Sequence, residues 1–376
     1  MTYLLRMGNL VRAVLVVALF LFFSACGDHG SVQRLDNELN KVLSPSVGPG
    51  LSIAVTRDNG LIANGVAGVR RLGTKNLIMI DDEFHVGSVT KPFTATLAGM
   101  LVAEGRIKWD SKISEIMPEW KSEMRPEYLD VTLADLLSHE AGIPPFTDDS
   151  EFKGLKFSGD PRTQRREFVR HVLTMAPAAP RGTFLYSNAG FSVAAVMMEQ
   201  VTNHSWEELI QTRIADPLKM KTLGFGWPKG ANQPWGHLWE DGKFKPNDPN
   251  GDYQLPAAIA PAGDLHMSMD DLAKFLADQL RALRGESALI PPAIAKTMHT
   301  RRTRSGLGFG VSKVGKLEPV STYTGSAGTF VTLIAIAPKA NVAVAVSANG
   351  ENDPTETALK HLLIENLTRY AVSKPH

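Results

Sequence analysis

The sequence predicts an α/β fold: an antiparallel sheet flanked by terminal helices, with a large helical insert between its two halves. Three observations point there. An alternating apolar hairpin stands near the start, at about 51–69. Helical periodicity dominates from Thr90 to about Leu283, and strand patterns return beyond Gly306 before a last helix.

In chain order, "SVQRLDNELNKVL" (31–43) sets Val32, Leu35, Leu39, Val42 and Leu43 at helical spacing. "GLSIAVT", "RDNG" and "LIANGVAGV" then read as strand, turn and strand, with Asn59-Gly60 supplying the turn. The helical patterns are "FTATLAGMLVAEG", "TLADLLSH", "TQRREFVRHVLTM", "GFSVAAVMMEQVT", "SWEELIQTRI" and "SMDDLAKFLADQLRAL". The later strands are "GLGFGVSKV", "PVSTYTG", "TFVTLIAIAP" and "NVAVAVSAN". The final helix, 354–371, has Asp353 as its expected N-cap, Pro354 at the first helical position and Glu356 completing a capping box. The loop at about 228–262 is rich in Trp, Pro, Asn and Gly, a length and composition that often shape a binding site. No internal repeat or low-complexity tract is visible.

At 376 residues the chain is long enough to bury about three quarters of its unfolded surface without a disulfide or metal staple. Lys+Arg 40 against Asp+Glu 39, with no basic stripe, gives no indication of a nucleic-acid partner. Arg6 and Arg12 flank the start of "AVLVVALFLFFSA" (13–25), a signal-peptide core shorter than the about 20 residues of a membrane span. Cys26, the only cysteine, follows directly and excludes an intramolecular disulfide. "FSAC" resembles the bacterial lipoprotein box, with Phe23 where leucine is commoner. The expected division is a signal peptide (1–25), a tether (26–30) and one folded domain (31–376). Within that domain the sheet region covers about 31–87 and 300–376, and the helical insert about 88–299. The resemblance implies an exported protein, lipid-anchored through Cys26 on a periplasmic or extracellular face. Gly27 in place of Asp favours the outer membrane where the host has two. The alternative is an ordinary secretory signal followed by an unmodified cysteine.

The chemistry-bearing stretches are three. In "FHVGSVTKPF" (84–93), Ser88 and Lys91 stand three apart at a helix start, where they share a face. A lysine made neutral by burial could remove the serine proton; a helix-capping serine beside a solvated lysine is the other reading. A second such pair, Ser150 and Lys153, follows "FTDD" in a polar loop with no helical pattern. In "FLYSNAGF" (184–191), Tyr186 offers a proton shuttle and Asn188 a hydrogen-bonding amide; a capped helix with a packed tyrosine would look the same. In "YTGSAG" (323–328), glycines between two strands let a substrate lie against a strand edge whose N–H groups can face an oxyanion.

These three stretches, in this order, resemble the serine β-lactamase and penicillin-binding-protein superfamily. The tyrosine form of the second box is closer to class C β-lactamases, D-alanyl-D-alanine carboxypeptidases of that branch and related esterases. "LADLLSHEAGIP" (133–144), "PAGDLHMSMDDLAKFL" (261–276) and "GLGFG" (306–310) add to the resemblance, which covers about 31–371. It implies that Ser88 attacks a carbonyl to form an acyl-enzyme. Lys91 and Tyr186 would share the proton transfers, either one serving as acylation base, and would together activate the deacylating water. Asn188 would bind a substrate amide or orient Lys91. The Ser88 and Ser326 N–H groups would form an oxyanion hole, with Tyr323, Thr324, Gly325 and Ser326 lining the substrate. No cofactor or metal is implied.

The expected substrate is a small-molecule ester or amide, with a cell-wall peptide as a further candidate. D-alanyl carboxypeptidase and true β-lactamase activity are the alternatives, and a non-catalytic cell-wall-binding lipoprotein is the alternative of another class. Intact Ser88, Lys91, Tyr186 and Asn188 argue against the last, since a binding module has no need of all four. Tyr323 departs from the Lys or His usual at the head of the third box, which removes a charge that can hold a substrate carboxylate unless Arg301, Arg302 or Arg304 compensates.

Other motifs fail on inspection. No G-x-S-x-G occurs. "GVRRLGTK" (68–75) has Lys and Thr in the wrong order for a phosphate loop. His139-Glu140 begins like a zinc motif, but Ile143 stands where the second histidine belongs, so His139 is expected to pack or cap. For the anchor, Cys26→Ser in the full gene should release the protein from membranes or block its processing. An acyl-free mature chain that starts elsewhere would contradict the lipoprotein reading.

Overall fold

The computed structural model describes residues 31–372; Cys26 and the signal and tether stretches lie outside the described residues. The chain opens with β1 (Gln33–Arg34), α1 (Asp36–Val42), β2 (Gly50–Arg57) and β3 (Gly60–Gly68). β4 (Phe84–His85) leads into α2 (Thr90–Ala103), followed by α3 (Ile113–Ile116), α4 (Leu133–Leu137) and α5 (Pro161–Val172). Next come α6 (Asn188–Thr202), α7 (Trp206–Ile210) and α8 (Asp216–Leu218), then β5 (Gly224–Phe225), β6 (His237–Glu240) and β7 (Lys243–Pro246). α9 (Ala260–Gly263), β8 (Leu265–Met267), α10 (Met269–Arg284) and α11 (Pro292–Met298) close the central region. β9 (Gly310–Val314), β10 (Leu317–Ser326), β11 (Val331–Ala337), β12 (Val342–Ala348) and α12 (Asp353–Arg369) complete the chain.

The two ends of the chain meet in one seven-stranded sheet, ordered β1-β3-β2-β12-β11-β10-β9. All neighbours are antiparallel except β1, which runs parallel to β3. Alternation along each strand assigns its two faces. Val342, Val344 and Val346 of β12 join Leu51, Ile53 and Val55 of β2 against Leu359, Leu363 and Leu367 of α12 and Leu35 and Leu39 near α1. Ala343, Ala345, Ala54, Ile334 and Ile336 face the other way, into a core shared with Leu272, Phe275 and Leu276 of α10. Burial on both faces explains why β11 and β12 read as nearly continuous apolar runs. The terminal helices therefore cover only one face. The second is covered by α10, a helix from within the central region.

Small differences from the sequence reading have local causes. Residues 33–34 are extended because the edge of β3 offers backbone pairing at Ala63 and Asn64; the helix starts only at Asp36, whose carboxylate accepts the Val66 N–H at 2.7 Å. Leu35 and Leu39 are still buried, as the helical spacing required. The hairpin turn is Asp58-Asn59, since Arg57 pairs with Gly60, and Gly60 takes a left-handed φ of 124°. α12 is capped one residue earlier than expected: the Asn352 side chain accepts the Thr355 N–H at 2.8 Å, and Pro354 occupies the first turn.

The central region is mostly helical but also carries a three-stranded sheet, β4-β8-β5, and the β6-β7 hairpin. α2 and α6 are apolar almost all round because both are buried in its core. Phe93 of α2 stacks on Phe275 of α10 with ring centroids 3.9 Å apart, which ties the central helices to the sheet. Arg165 of α5 is fully buried and pairs with Glu199 of α6 at 2.7 Å and Glu207 of α7 at 2.9 Å. Such a cluster holds only while every charge keeps its partner, so it fixes the three helices in one arrangement.

Candidate active site

Ser88 lies in a single 3-10 turn, Gly87–Val89, between β4 and α2. β4 pairs with β8, and the Val86 N–H continues that ladder to the Leu265 carbonyl at 2.9 Å. Gly87 turns the chain at φ 51°, a conformation that favours glycine. Its N–H donates to His85 Nδ1 at 3.2 Å, so Nε2 carries the ring proton and faces Asp264 Oδ1 at 3.3 Å. Complete burial lowers the His85 pKa, opposed by Asp264, and keeps the ring neutral. Buried His85 thus tethers the turn that presents Ser88.

One turn into α2, Lys91 is fully buried. Its Nζ lies 2.8 Å from Asn188 Oδ1, 2.8 Å from the Ala262 carbonyl and 3.0 Å from Ser88 Oγ. Two positions around the nitrogen are taken by carbonyl acceptors on α6 and α9, which aims the third at Ser88. Burial lowers the Lys91 pKa from its ordinary 10.5, opposed by the phenol of Tyr186. α9 is held against α2 by the Thr94 hydroxyl, which donates to the Pro261 carbonyl at 2.7 Å.

Tyr186 reaches Ser88 from the other side, its hydroxyl 2.7 Å from Oγ. Burial pushes the Tyr186 pKa up, but the charge of Lys91 and hydrogen bonds from its neighbours outweigh burial and leave it lowered. The Tyr186 ring packs 4.5 Å from His139, whose Nε2 also lies 3.5 Å from the Tyr323 hydroxyl. His139 Nδ1 accepts the Ser187 N–H at 3.1 Å, and burial, with the nearby Lys91 charge, drops its pKa to about 3. His139 is therefore a neutral packing residue, as its sequence context suggested. Asn188 opens α6 and has both ends of its amide in use, accepting from Lys91 and donating to the Phe146 carbonyl at 2.9 Å. Of its two expected roles, the geometry matches orientation of Lys91.

β9 pairs with β10 only as far as Thr322, so one edge of the strand from Tyr323 to Ser326 has no strand partner. Gly325 packs directly on the Ser88 turn: a side-chain carbon there would lie 2.0 Å from the Val86 carbonyl oxygen and 2.9 Å from the Ser88 nitrogen. The contact is mutual, since a carbon on Gly87 would lie 2.5 Å from the Ser326 carbonyl oxygen. The backbones of residues 87–88 and 325–326 therefore touch, and the donors expected at an oxyanion, Ser88 and Ser326, stand on adjoining segments. Thr324 and Ser326 are exposed, and Tyr323 is half-buried with its pKa raised well above 10 by burial and by Tyr186.

Several sequence candidates fall elsewhere. Ser150 and Lys153 lie exposed on or beside a short 3-10 turn, and Ser150 donates its N–H to Asp148. Arg302 is paired with Asp135 at 3.0 Å and Glu140 at 2.9 Å, and Arg301 binds the Val311 carbonyl. Arg304 lies 5.2 Å over the Phe184 ring, and Phe184 in turn packs on His139. No group of three or more potential metal ligands occurs among the described residues. His85, Asp264 and the Ala262 carbonyl carried no functional reading in the sequence. Their roles depend on the pairing of β4 with β8, which joins segments about 180 residues apart.

Comparisons with known proteins place the fold in a family. The beta-lactamase family model matches residues 39–368. An unguisins hydrolase from Aspergillus violaceofuscus is 28% identical over 240 residues, covering 61% of this chain and 41% of that protein. Penicillin-binding protein 4 of Amycolatopsis lactamdurans is 28% identical over 232 residues, covering 60% of this chain and 58% of that protein. The matches thus span about half the length of these curated relatives. The octameric penicillin-binding protein homologue from Pyrococcus abyssi superposes with a TM-score of 0.73 at 23% identity, covering 88% of this chain and 76% of that one.

Gly325→Ala tests the contact between strand and turn. The added methyl must push β10 from the Ser88 turn, and a displacement of about 1 Å costs on the order of 100-fold in rate. The expected result is a loss of that size in kcat/KM for an activated ester, beyond any change in thermal stability. Activity close to wild type would show that the contact does not set the site.

Proposed function

The chain belongs to the beta-lactamase family, and from that premise we propose that it is a serine hydrolase working through an acyl-enzyme on Ser88. The observation that carries this reading is the convergence of Tyr186 and Lys91 on Ser88 Oγ, at 2.7 and 3.0 Å. Ser88 Oγ attacks the substrate carbonyl, and its proton passes into the Lys91–Tyr186 pair. The N–H groups of Ser88 and Ser326 receive the oxyanion. The pair then protonates the departing alcohol or amine as the bond to it breaks. Water attacks the resulting Ser88 ester, gives one proton to the pair, and releases the acid as Ser88 recovers its own. Lys91 and Tyr186 act as a coupled unit whose protons belong to both groups.

The substrate follows from charge. One ion pair at about 4 Å and an effective dielectric of about 20 is worth about 4 kcal/mol before desolvation, against about 1 kcal/mol net for a neutral hydroxyl. Tyr323 supplies only the latter. Arg301 and Arg302 are engaged elsewhere, and along the contacts from Arg304 the rings of Phe184 and His139 come before Tyr323. Neutral esters or amides fit this end of the strand better than carboxylated β-lactams or D-alanyl peptides. On the sequence grounds given, the site would work outside the cytoplasm, tethered through Cys26.

Fluorophosphonate labelling with peptide mapping, run beside ester turnover, checks the assignment. Label should appear on Ser88 and not on Ser150. Lys91→Ala should lower kcat/KM at least ~100-fold, the scale of general-base catalysis. Wild type should favour a neutral ester over its carboxylated counterpart. Label on Ser150, or full turnover by Ser88→Ala, would refute the reading.

A further inference from the structure

Glu351 stands in the bend between β12 and α12, yet it does not cap the helix, a role taken by Asn352. Its Oε2 accepts from Ser326 Oγ at 2.6 Å and from the Gly328 N–H at 3.1 Å. These bonds fix the carboxylate at the end of β10, on the residue whose N–H is assigned to the oxyanion. Bond lengths put Oε2 no more than about 6 Å from that N–H. Among the described residues Oε1 takes no hydrogen bond and no cation pairs with the carboxylate; burial and the charge of Glu356 raise its pKa, opposed by the Ser326 and Gly328 hydrogen bonds.

Tyr253, from the long loop at 228–262, walls the same end. Its hydroxyl donates to the Ala327 carbonyl at 3.2 Å, and a side-chain carbon on Gly328 would lie 2.3 Å from it. Burial, then the charges of Asp149 and Glu351, push up the Tyr253 pKa, so two carboxylates act on this wall. The proton path supplies a direction. The leaving group takes its proton from the Lys91–Tyr186 pair, whose phenol lies toward the Tyr323 end of the strand, beside His139. Three residues of strand, about 10 Å, separate Tyr323 from Ser326. The leaving group therefore runs toward Tyr323, and the acyl group runs toward Gly328, Tyr253 and Glu351.

We propose that Glu351 selects substrates carrying a positively charged ammonium group on the acyl side of the scissile bond, as in an aminoacyl ester or amide or the amino end of a peptide. This rests on acylation of Ser88 as described above. It gives the acidic end of the strand a use that a purely structural tie between β10 and the β12–α12 bend does not.

Two p-nitrophenyl esters of matched shape decide it: that of trimethylglycine, with a permanent cation in the acyl group, and that of 3,3-dimethylbutanoic acid, its neutral isostere. Each kcat/KM is divided by the ester's own rate of hydrolysis by hydroxide, which removes the difference in intrinsic reactivity. In wild type at low salt the corrected ratio should favour the cationic ester about tenfold or more. Glu351→Gln should bring the ratio close to one. Added salt should shrink it in the wild type, because mobile ions screen a charge interaction at this range; this arm needs no folded variant. A ratio near one in wild type, a ratio unmoved by salt, or a preference that survives in folded Glu351→Gln would overturn the assignment while leaving Ser88 chemistry intact. Failure of wild type to turn over either ester would overturn both.

Discussion

The site depends on removing one amine from water. Lys91 has no solvent exposure, and an ammonium buried this way costs several kcal/mol unless partners replace its hydration. The fold supplies two carbonyl oxygens, from Asn188 and Ala262, and turns the remaining position of the nitrogen toward Ser88. Burial favours the neutral amine, and the neutral amine has a lone pair to direct at the serine proton. The same amine tunes Tyr186: in its charged form, Lys91 outweighs burial of the phenol and lowers the Tyr186 pKa.

Much of the architecture can be understood as support for that arrangement. The acceptors stand on α6 and α9, so Lys91 is held only if α2, α6 and α9 keep their places. Arg165 with its two glutamates holds α5, α6 and α7 together, and the stacked Phe93 and Phe275 carry α2 onto α10 and so onto the sheet. At the sheet, Gly325 and Gly87 let β10 touch the Ser88 turn with no side chain between. A chain that kept Ser88 and Lys91 but lost one of these contacts would keep the motif and lose the geometry.

The motif itself was legible in the sequence because its spacing is local. Ser88 and Lys91 share one helix face, Tyr186 and Asn188 straddle the cap of another, and both helices announce themselves by their apolar residues. The apolar strands at the two ends also predicted one sheet. Three features were not legible. α10 covers a sheet face although it belongs to the central region, since periodicity shows that a helix is amphipathic and not what it packs against. Residues 33–34 pair with β3 rather than join a helix, because an available strand edge overrides helical spacing. Finally, His85, Ala262 and Asp264 meet the nucleophile turn only through the pairing of β4 with β8, and Glu351 meets Ser326 only because β12 and β10 end together on either side of β11, at Ala348, Val331 and Ser326. Such long-range contacts leave no periodic trace.

The central claim is that burial makes Lys91 a proton acceptor, and its own titration tests that most directly. Carbon-13 at Lys91 Cε, assigned by comparison with a Lys91→Arg sample, reports the charge on Nζ as pH is raised. The account predicts a midpoint below the 10.5 of an ordinary lysine. It also predicts that Tyr186→Phe, which removes the phenol that opposes this shift, moves the midpoint lower still. A Lys91 that stays charged up to the ordinary value in the folded protein would contradict the account.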